Sequence, residues 1–204
     1  MSCATVFVKE LDLITNPMVR EWVRVVFDDI CPDYFWTIPA SQSSHHPAIA
    51  RGEGGLVRHT KLAVKFAHSF MEAWPDPPET SHDEVIAAVL LHDMMKRGAT
   101  EDALETFPDH TMARQCHGLY CADYISSHCD SSPHLRALLP ADRIKRIVTA
   151  VRDHMGKWTA SYNIPHGDFV VQVSQKTHVV CVTTHMADYA ASRHLDQWLE
   201  DIAK

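Results

Sequence analysis

The sequence lacks several features that would assign it to common functional classes. None of its six cysteines forms a Cys-x-x-Cys pair, so we do not expect a structural zinc knuckle. No apolar run approaches the ~20 residues that a helix needs to cross a bilayer. The formal net charge is −7 and no basic cluster is present, which argues against duplex DNA as a partner. These absences favour an ordinary globular protein that binds neither membranes nor duplex DNA.

The N-terminus also lacks the pattern of an export signal. The segment MSCATVFVKELDL has early acidic residues and neither a basic region nor a long apolar one. We therefore expect a cytoplasmic protein whose cysteines are free thiols, because the cytosol is reducing.

The residues that are present predict helices almost throughout the chain. Of its 204 residues 46% are hydrophobic and 22% are charged, as in one globular domain. A capping box, Ser81-x-x-Glu84, is expected to begin the third main helix. Apolar periodicity and turn residues predict helices over residues 18–30, 56–74, 82–95, 110–128, 141–155 and 184–200, with a short one from Pro133.

One segment, 169-FVVQVSQKTHVVCV-182, is ambiguous. Its β-branched residues would suit a strand, but a single strand would have no partner. We interpret most of it as a buried helix. The sequence therefore predicts an all-α fold in a single domain over 1–204, with 1–45 as an N-terminal helical extension and 50–195 as the core.

Histidine is abundant, with 15 copies, and several copies share helix faces with apolar residues. One such histidine would be an ordinary hydrogen-bonded core residue. Several of them together with an aspartate are costly to bury unless they are hydrogen-bonded or coordinate a metal ion. Imidazoles and carboxylates are ligands for Zn, Fe, Mn, Co or Ni. The polar residues on predicted apolar stripes are His59, His92, Asp93, His117 and His154.

The order of these motifs resembles the HD-domain metal-dependent phosphohydrolase superfamily, in its small single-domain bacterial or phage form. The resemblance covers roughly residues 50–195 and implies an all-α bundle with a metal site in its core. The upstream loop also resembles that of HD nucleases, but those nucleases carry a separate nucleic-acid-binding domain that we do not find here. The matching segments are 54-GGLVRHT-60, 91-LHDMMK-96, 117-HGLYCADYI-125, 150-AVRDHMGKW-158 and 187-ADYAASR-193.

The resemblance implies a ligand set for one or two divalent metal ions, which would be Mn, Fe, Co, Ni or Zn, with Mg as an alternative. The first ion would be held by His59, His92, Asp93 and Asp188. In two-metal members of the superfamily, the residues that correspond to His117 and His154 hold a second ion; in one-metal members they contact phosphate or donate protons. His110 competes with His117 for this position, and HGLYCADYI fits the motif better.

Further residues have predicted roles around these ligands. Asp93, His117, His154 and Lys96 are the predicted catalytic residues. The predicted substrate-binding residues are Lys96, His46, Arg193 and Trp158. Each has a plainer interpretation: a lysine that favours the helix C-terminus, a surface loop histidine, a solvated arginine and a packing tryptophan. Arg58 has a similar predicted role.

The expected function is hydrolysis of a phosphate ester or anhydride of a nucleotide, either a mononucleotide, a deoxynucleotide or a triphosphate. The first alternative is a phosphodiesterase for cyclic or short linear oligonucleotides, which includes 3′–5′ nucleases and enzymes that degrade second messengers. The second alternative is a nucleotide-binding module without turnover. The expected partners are a small-molecule nucleotide and a second copy of the chain in a homo-oligomer.

Overall fold

The fold is all-helical, as predicted. The computed structural model describes residues 3–41, 46–98, 110–156 and 175–193, and this part of the chain contains no β-sheet. Two short 3₁₀ helices, Asp33–Trp36 and Ala48–Ala50, lie before the fourth α-helix. The α-helices are α1 Cys3–Val6, α2 Val8–Asp12, α3 Pro17–Ile30, α4 Gly55–Ala73, α5 Ser81–Leu91, α6 His110–Ser131, α7 Pro133–Leu138, α8 Ala141–Asp153 and α9 Gln175–Ala191.

Two predicted helix starts are confirmed by their capping contacts. The Asn16 side chain accepts hydrogen bonds from the backbone N–H groups of Met18 and Val19, and Pro17 follows as the first residue of α3. Ser132 caps α7 in the same way and is also followed by a proline. Both helix starts could be predicted from the sequence because capping depends on neighbouring residues alone.

The ambiguous valine-rich segment is helical wherever the structure describes it. Residues 175–182 belong to α9, which continues to Ala191, so part of the predicted helix over 184–200 is the same helix. Residues 169–174 and 194–200 lie outside the described ranges. Within those ranges, no helix is long and apolar enough to cross a membrane.

Helix α5 differs from its prediction at both ends. It stops at Leu91, so His92 and Asp93 lie in the turn that follows rather than inside the helix. The predicted capping box is wrong, because the Glu84 carboxylate accepts from Arg146 at 2.7 and 2.8 Å. A buried carboxylate gains more from two charge-assisted hydrogen bonds than from one backbone N–H.

Helix α5 is the centre of the bundle. Residues 83–91 are all buried, as expected for a helix that is covered on every side. It contacts α3, α4, α8 and α9. The segment before α4 belongs to the same hydrophobic core, to which it contributes Phe7, Trp22 and Phe35.

Helices α5 and α8 run side by side in the same direction. The Glu84–Arg146 ion pair joins the first turn of α5 to the second turn of α8. Eight residues further along each helix comes a histidine, His92 after α5 and His154 at the end of α8. The two imidazole centroids lie 5.0 Å apart. The ion pair therefore sets the register that brings these two histidines together.

The N-terminal segment is tied to the start of α5 by Asp83. Its carboxylate accepts from the backbone N–H groups of Thr15 at 2.8 Å and Asn16 at 2.9 Å. Burial opposes ionisation of this group, but its hydrogen bonds with His82, Thr15 and Asn16 outweigh that effect and lower the pKa of Asp83 below its ordinary value.

We predict that Asp83→Asn lowers the free energy of unfolding at pH 7 by roughly 1–3 kcal/mol. Because the folded-state pKa is lowered, the contribution of Asp83 is present above about pH 3.8 and is lost as the pH falls through the folded-state value. The variant should therefore lose less stability than the native chain between pH 7 and pH 3, as measured by urea unfolding. Asp130→Asn, at an exposed position, is the control. Equal losses for Asp83→Asn and the native chain would contradict this role.

Candidate metal centre

Four side chains from three parts of the bundle form a first His/Asp group in the core. His59 comes from α4, His92 and Asp93 follow α5, and Asp188 comes from α9. The His59 Nε2 atom lies 3.3 Å from His92 Nε2 and 3.1 Å from Asp188 Oδ1. One ligand atom from each of the four residues lies within 4.8 Å of the others.

A second group is formed by Asp93 with two more histidines. His117 comes from α6, and its Nε2 lies 2.8 Å from Asp93 Oδ1. His154, at the end of α8, has its Nε2 atom 3.0 Å from that of His117. The two groups share Asp93: its Oδ2 atom faces His59 and His92, and its Oδ1 atom faces His117 and His154.

Backbone carbonyls fix the orientation of two of the imidazoles. His92 Nδ1 lies 2.6 Å from the carbonyl oxygen of Val89, and His154 Nδ1 lies 2.6 Å from that of Val151. A carbonyl can only accept, so both Nδ1 atoms must donate. Each Nε2 atom of a neutral ring therefore directs a lone pair into the centre, as metal-binding histidines do.

The geometry of the first group fits a divalent metal ion. The His92 Nε2 lone pair and the oxygens of two carboxylates converge in a buried space, where they repel one another unless a proton or a metal ion lies between them. Ligands about 2.1 Å from one ion lie about 3 Å or slightly more from each other. The separations of 3.1 and 3.3 Å around His59 match this spacing. The groups could therefore hold a metal ion.

The charges of the carboxylates are stabilised by their neighbours. Burial opposes ionisation of Asp93, but Lys96, His92 and His117 hold the pKa of Asp93 well below its usual range. Burial likewise opposes ionisation of Asp188, whereas hydrogen bonds with His59 and His92 hold its pKa well below the usual range. Both acids are therefore present as carboxylates, the form that binds metals.

The two histidines that donate to backbone carbonyls, His92 and His154, have pKa values that are shifted in opposite directions. Burial lowers the pKa of His154, and the neighbouring imidazoles of His117 and His92 add to that effect. Burial also disfavours the charged form of His92, but Asp93 and Asp188 outweigh it and raise the pKa of His92. A proton can thus compete with a metal ion at His92, so metal binding to this group would release protons.

Lys96 and His46 lie beside the first group. Lys96 Nζ is 2.5 Å from Asp93 Oδ2, so this lysine points at the centre rather than into solvent. The His46 ring lies with its centroid 5.6 Å from that of His59. Burial and the nearby charge of Lys96 lower the pKa of His46 to about 4, which leaves the ring neutral at pH 7.

The other predicted residues either make different contacts or lie outside the described part of the chain. The Arg193 guanidinium is exposed and stacks over the Tyr189 ring, 4.7 Å from its centroid. Arg58 donates to the carbonyl oxygens of Ile49 and Arg51 and so secures the loop before α4. Trp158 and the side chain of His110 lie outside the described residues.

Several supporting residues were not predicted from the sequence. The Tyr34 hydroxyl accepts from the Arg97 N–H at 2.9 Å and donates to the Gly98 carbonyl, so it holds the turn that follows Lys96. His185 Nδ1 donates to the carbonyl oxygen of His154 at 2.6 Å. No local pattern in the sequence marks either contact.

The comparisons with known proteins give one partial similarity. A segment of 62 residues is 44% identical to the dihydroneopterin 2′,3′-cyclic phosphate phosphodiesterase of Methanocaldococcus jannaschii. It covers 28% of this chain and 22% of that protein, so the chain matches only about a fifth of the length of this curated relative. No family model matches the chain, and no solved structure gives a significant match.

Gly118 provides a test of the second group. A Cβ atom there would lie 2.9 Å from the Arg152 carbonyl oxygen and 3.0 Å from the His154 ring. We predict that Gly118→Ala separates His154 from His117 and reduces bound metal, measured by elemental analysis of the metal-loaded protein. Alanine in a helix should otherwise add about 0.5–1 kcal/mol of stability. Ser127→Ala, at an exposed position on α6, is the control. Unchanged metal content in Gly118→Ala would contradict the predicted crowding.

Proposed function

We propose that this chain is a metal-dependent phosphohydrolase that cleaves a phosphate ester of a small nucleotide-like molecule. The observation that carries the proposal is the Asp93 carboxylate shared by two buried His/Asp groups. A carboxylate between two ions is the arrangement that brings metals within about 4 Å of each other in two-metal phosphoryl-transfer sites. The motif order described above supports placing the chain in the HD-domain superfamily.

In this proposal the first ion is held by His59, His92, Asp93 and Asp188, and the second by Asp93, His117 and His154. When bound, divalent ions would supply Lewis-acid polarisation of the phosphoryl oxygens and would make a nearby water more acidic. The remaining chemistry belongs to side chains at the edge of the site.

Lys96 is the residue that we assign to the substrate phosphate. Its ammonium group now lies against Asp93, and its side chain is 20% exposed. Because Lys96 lies beside Asp93 and is partly exposed, its ammonium group could bind an incoming phosphoryl oxygen as a point charge. Asp188, 16% exposed, lies where the buried group opens towards solvent. This supports entry of the substrate between Lys96 and Asp188.

We assign His46 to the substrate side of the same opening. Its ring lies against His59 and is neutral at pH 7. A neutral imidazole can either donate or accept one hydrogen bond at each ring nitrogen. His46 can therefore orient a hydroxyl of the substrate, or of water, without adding a charge to the site.

A cyclic phosphate diester is the substrate class that has most support. The curated relative with the partial match is named for a 2′,3′-cyclic phosphate. Hydrolysis of such a ring adds one water, breaks one P–O bond and leaves a single phosphate monoester on one molecule. This favours the phosphodiesterase alternative over hydrolysis of a mononucleotide or triphosphate, which releases inorganic phosphate or pyrophosphate.

Other features remain predictions. They are a single domain over residues 1–204, a cytoplasmic location, a homo-oligomeric state, the exclusion of duplex DNA, and roles for Arg193 and Trp158 in binding the substrate. A binding module without turnover would have no reason to keep two buried acids facing several imidazoles, and an activity assay separates this alternative from an enzyme.

The test is a ³¹P NMR assay of 2′,3′-cyclic nucleotides, 3′,5′-cyclic nucleotides, cyclic dinucleotides, mononucleotides and triphosphates, each with Mn²⁺, Fe²⁺, Co²⁺, Ni²⁺, Zn²⁺ or Mg²⁺. We expect ring opening of a 2′,3′-cyclic phosphate and a fall of at least about 100-fold in Asp93→Asn, since this change removes the shared negative ligand. Lys145→Ala, at an exposed position on α8, should keep full activity. No turnover with any metal would refute the proposal, and so would an active Asp93→Asn variant.

A further inference from the structure

A second pair of histidines lies on the surface where α4 meets the start of α5. His68, on α4, has its Nδ1 atom 3.0 Å from the Nε2 atom of His82, on α5. The ring centroids are 5.3 Å apart and the planes are nearly perpendicular, at 81°. His82 lies ten residues before His92 in the sequence, which is about 15 Å along a helix. This pair is therefore separate from the buried centre.

Each of these imidazoles also has a carboxylate beside its other nitrogen. His68 Nε2 lies 3.4 Å from Glu72 Oε1, and His82 Nδ1 lies 3.8 Å from Asp83 Oδ1. The Asp83 carboxylate is held in place by the backbone N–H groups of Thr15 and Asn16. A carboxylate behind an imidazole is the usual outer partner of a metal-binding histidine.

When both rings are neutral, hydrogen bonds alone cannot satisfy all four of their nitrogen atoms in this arrangement. A neutral imidazole has one N–H group and one lone pair. If both rings donate to their carboxylates, two lone pairs face each other at 3.0 Å. If one ring instead donates to the other, the lone pair of the donor ring faces a carboxylate. A cation between His68 Nδ1 and His82 Nε2 removes both conflicts.

A transition-metal ion fits this position. A separation of 3.0 Å is that of neighbouring ligands about 2.1 Å from one ion. The two side chains are 33% and 29% exposed, so water can complete the coordination. Imidazole nitrogen is a preferred ligand of Ni²⁺, Cu²⁺, Co²⁺ and Zn²⁺.

We propose that His68 and His82 form a surface site for a divalent transition-metal ion that joins α4 to α5. His59 lies on α4 and the His92–Asp93 pair directly follows α5, so the ion would join the two helices that position three ligands of the buried centre. An ion that binds only the folded chain stabilises it in proportion to the logarithm of its concentration.

The test uses Ni²⁺ as the probe with the full chain and the separate variants His68→Gln and His82→Gln. Isothermal titration should show about one Ni²⁺ fewer per chain in each variant than in the native chain. The rise in Tm that Ni²⁺ causes in the native chain should become smaller. His128→Gln is the matched control, because His128 is also partly exposed and pairs with a single carboxylate, that of Asp29.

The outcomes distinguish a specific metal site at His68 and His82 from non-specific binding to surface histidines. A loss in both pair variants and no loss in His128→Gln supports the proposal. Unchanged Ni²⁺ stoichiometry in either pair variant overturns it, and so does an equal loss in all three variants. The buried ligands are native in every variant, so failure of the phosphohydrolase proposal would leave this result unaffected.

Discussion

The buried Asp93 carboxylate is the constraint on which the rest of the centre depends. An ionised carboxylate in a protein core is tolerated only when cations or hydrogen-bond donors compensate the lost hydration. Here one oxygen faces His59 and His92 and the other faces His117 and His154, while Lys96 supplies a positive charge. Because both oxygens are engaged, the single residue orders two groups of ligands.

That arrangement requires α5 and α8 to end at the same depth in the bundle. The Glu84–Arg146 ion pair joins the first turn of α5 to the second turn of α8, and a histidine follows each of these two residues by eight positions. Both imidazoles then donate to a carbonyl oxygen three residues earlier, Val89 for His92 and Val151 for His154. The end of α5 at Leu91 has a clear function in this context. It frees His92 and Asp93 from the divergence of neighbouring side chains on a helix.

Much of this could be predicted from local sequence. The helical class, the starts of α3 and α7, and the helical nature of residues 175–182 all depend on neighbouring residues, and each is confirmed. The histidines and Asp93 on apolar stripes, together with the family resemblance that implied Asp188, also predicted which side chains would meet in the core. The structure brings together His59, His92, Asp93, Asp188, His117 and His154.

The contacts that could not be predicted join distant parts of the chain. The Arg146 guanidinium, 62 residues away in the sequence, donates to the Glu84 carboxylate, so the capping box that the local pattern favoured does not form. Tyr34 holds the turn after Lys96 from 63 residues away. Neither residue type nor spacing specifies such pairs, because they arise only when the helices pack. The position of Lys96 beside Asp93 likewise depends on the turn after α5.

Anomalous X-ray diffraction from crystals of the chain grown with Mn²⁺ would show whether Asp93 organises a metal centre. We predict two anomalous peaks on opposite sides of the Asp93 carboxylate, roughly 4 Å apart. One peak would lie among His59, His92 and Asp188, and the other beside His117 and His154. The absence of any peak at Asp93 in Mn²⁺-containing crystals would contradict the claim that this carboxylate organises a metal centre.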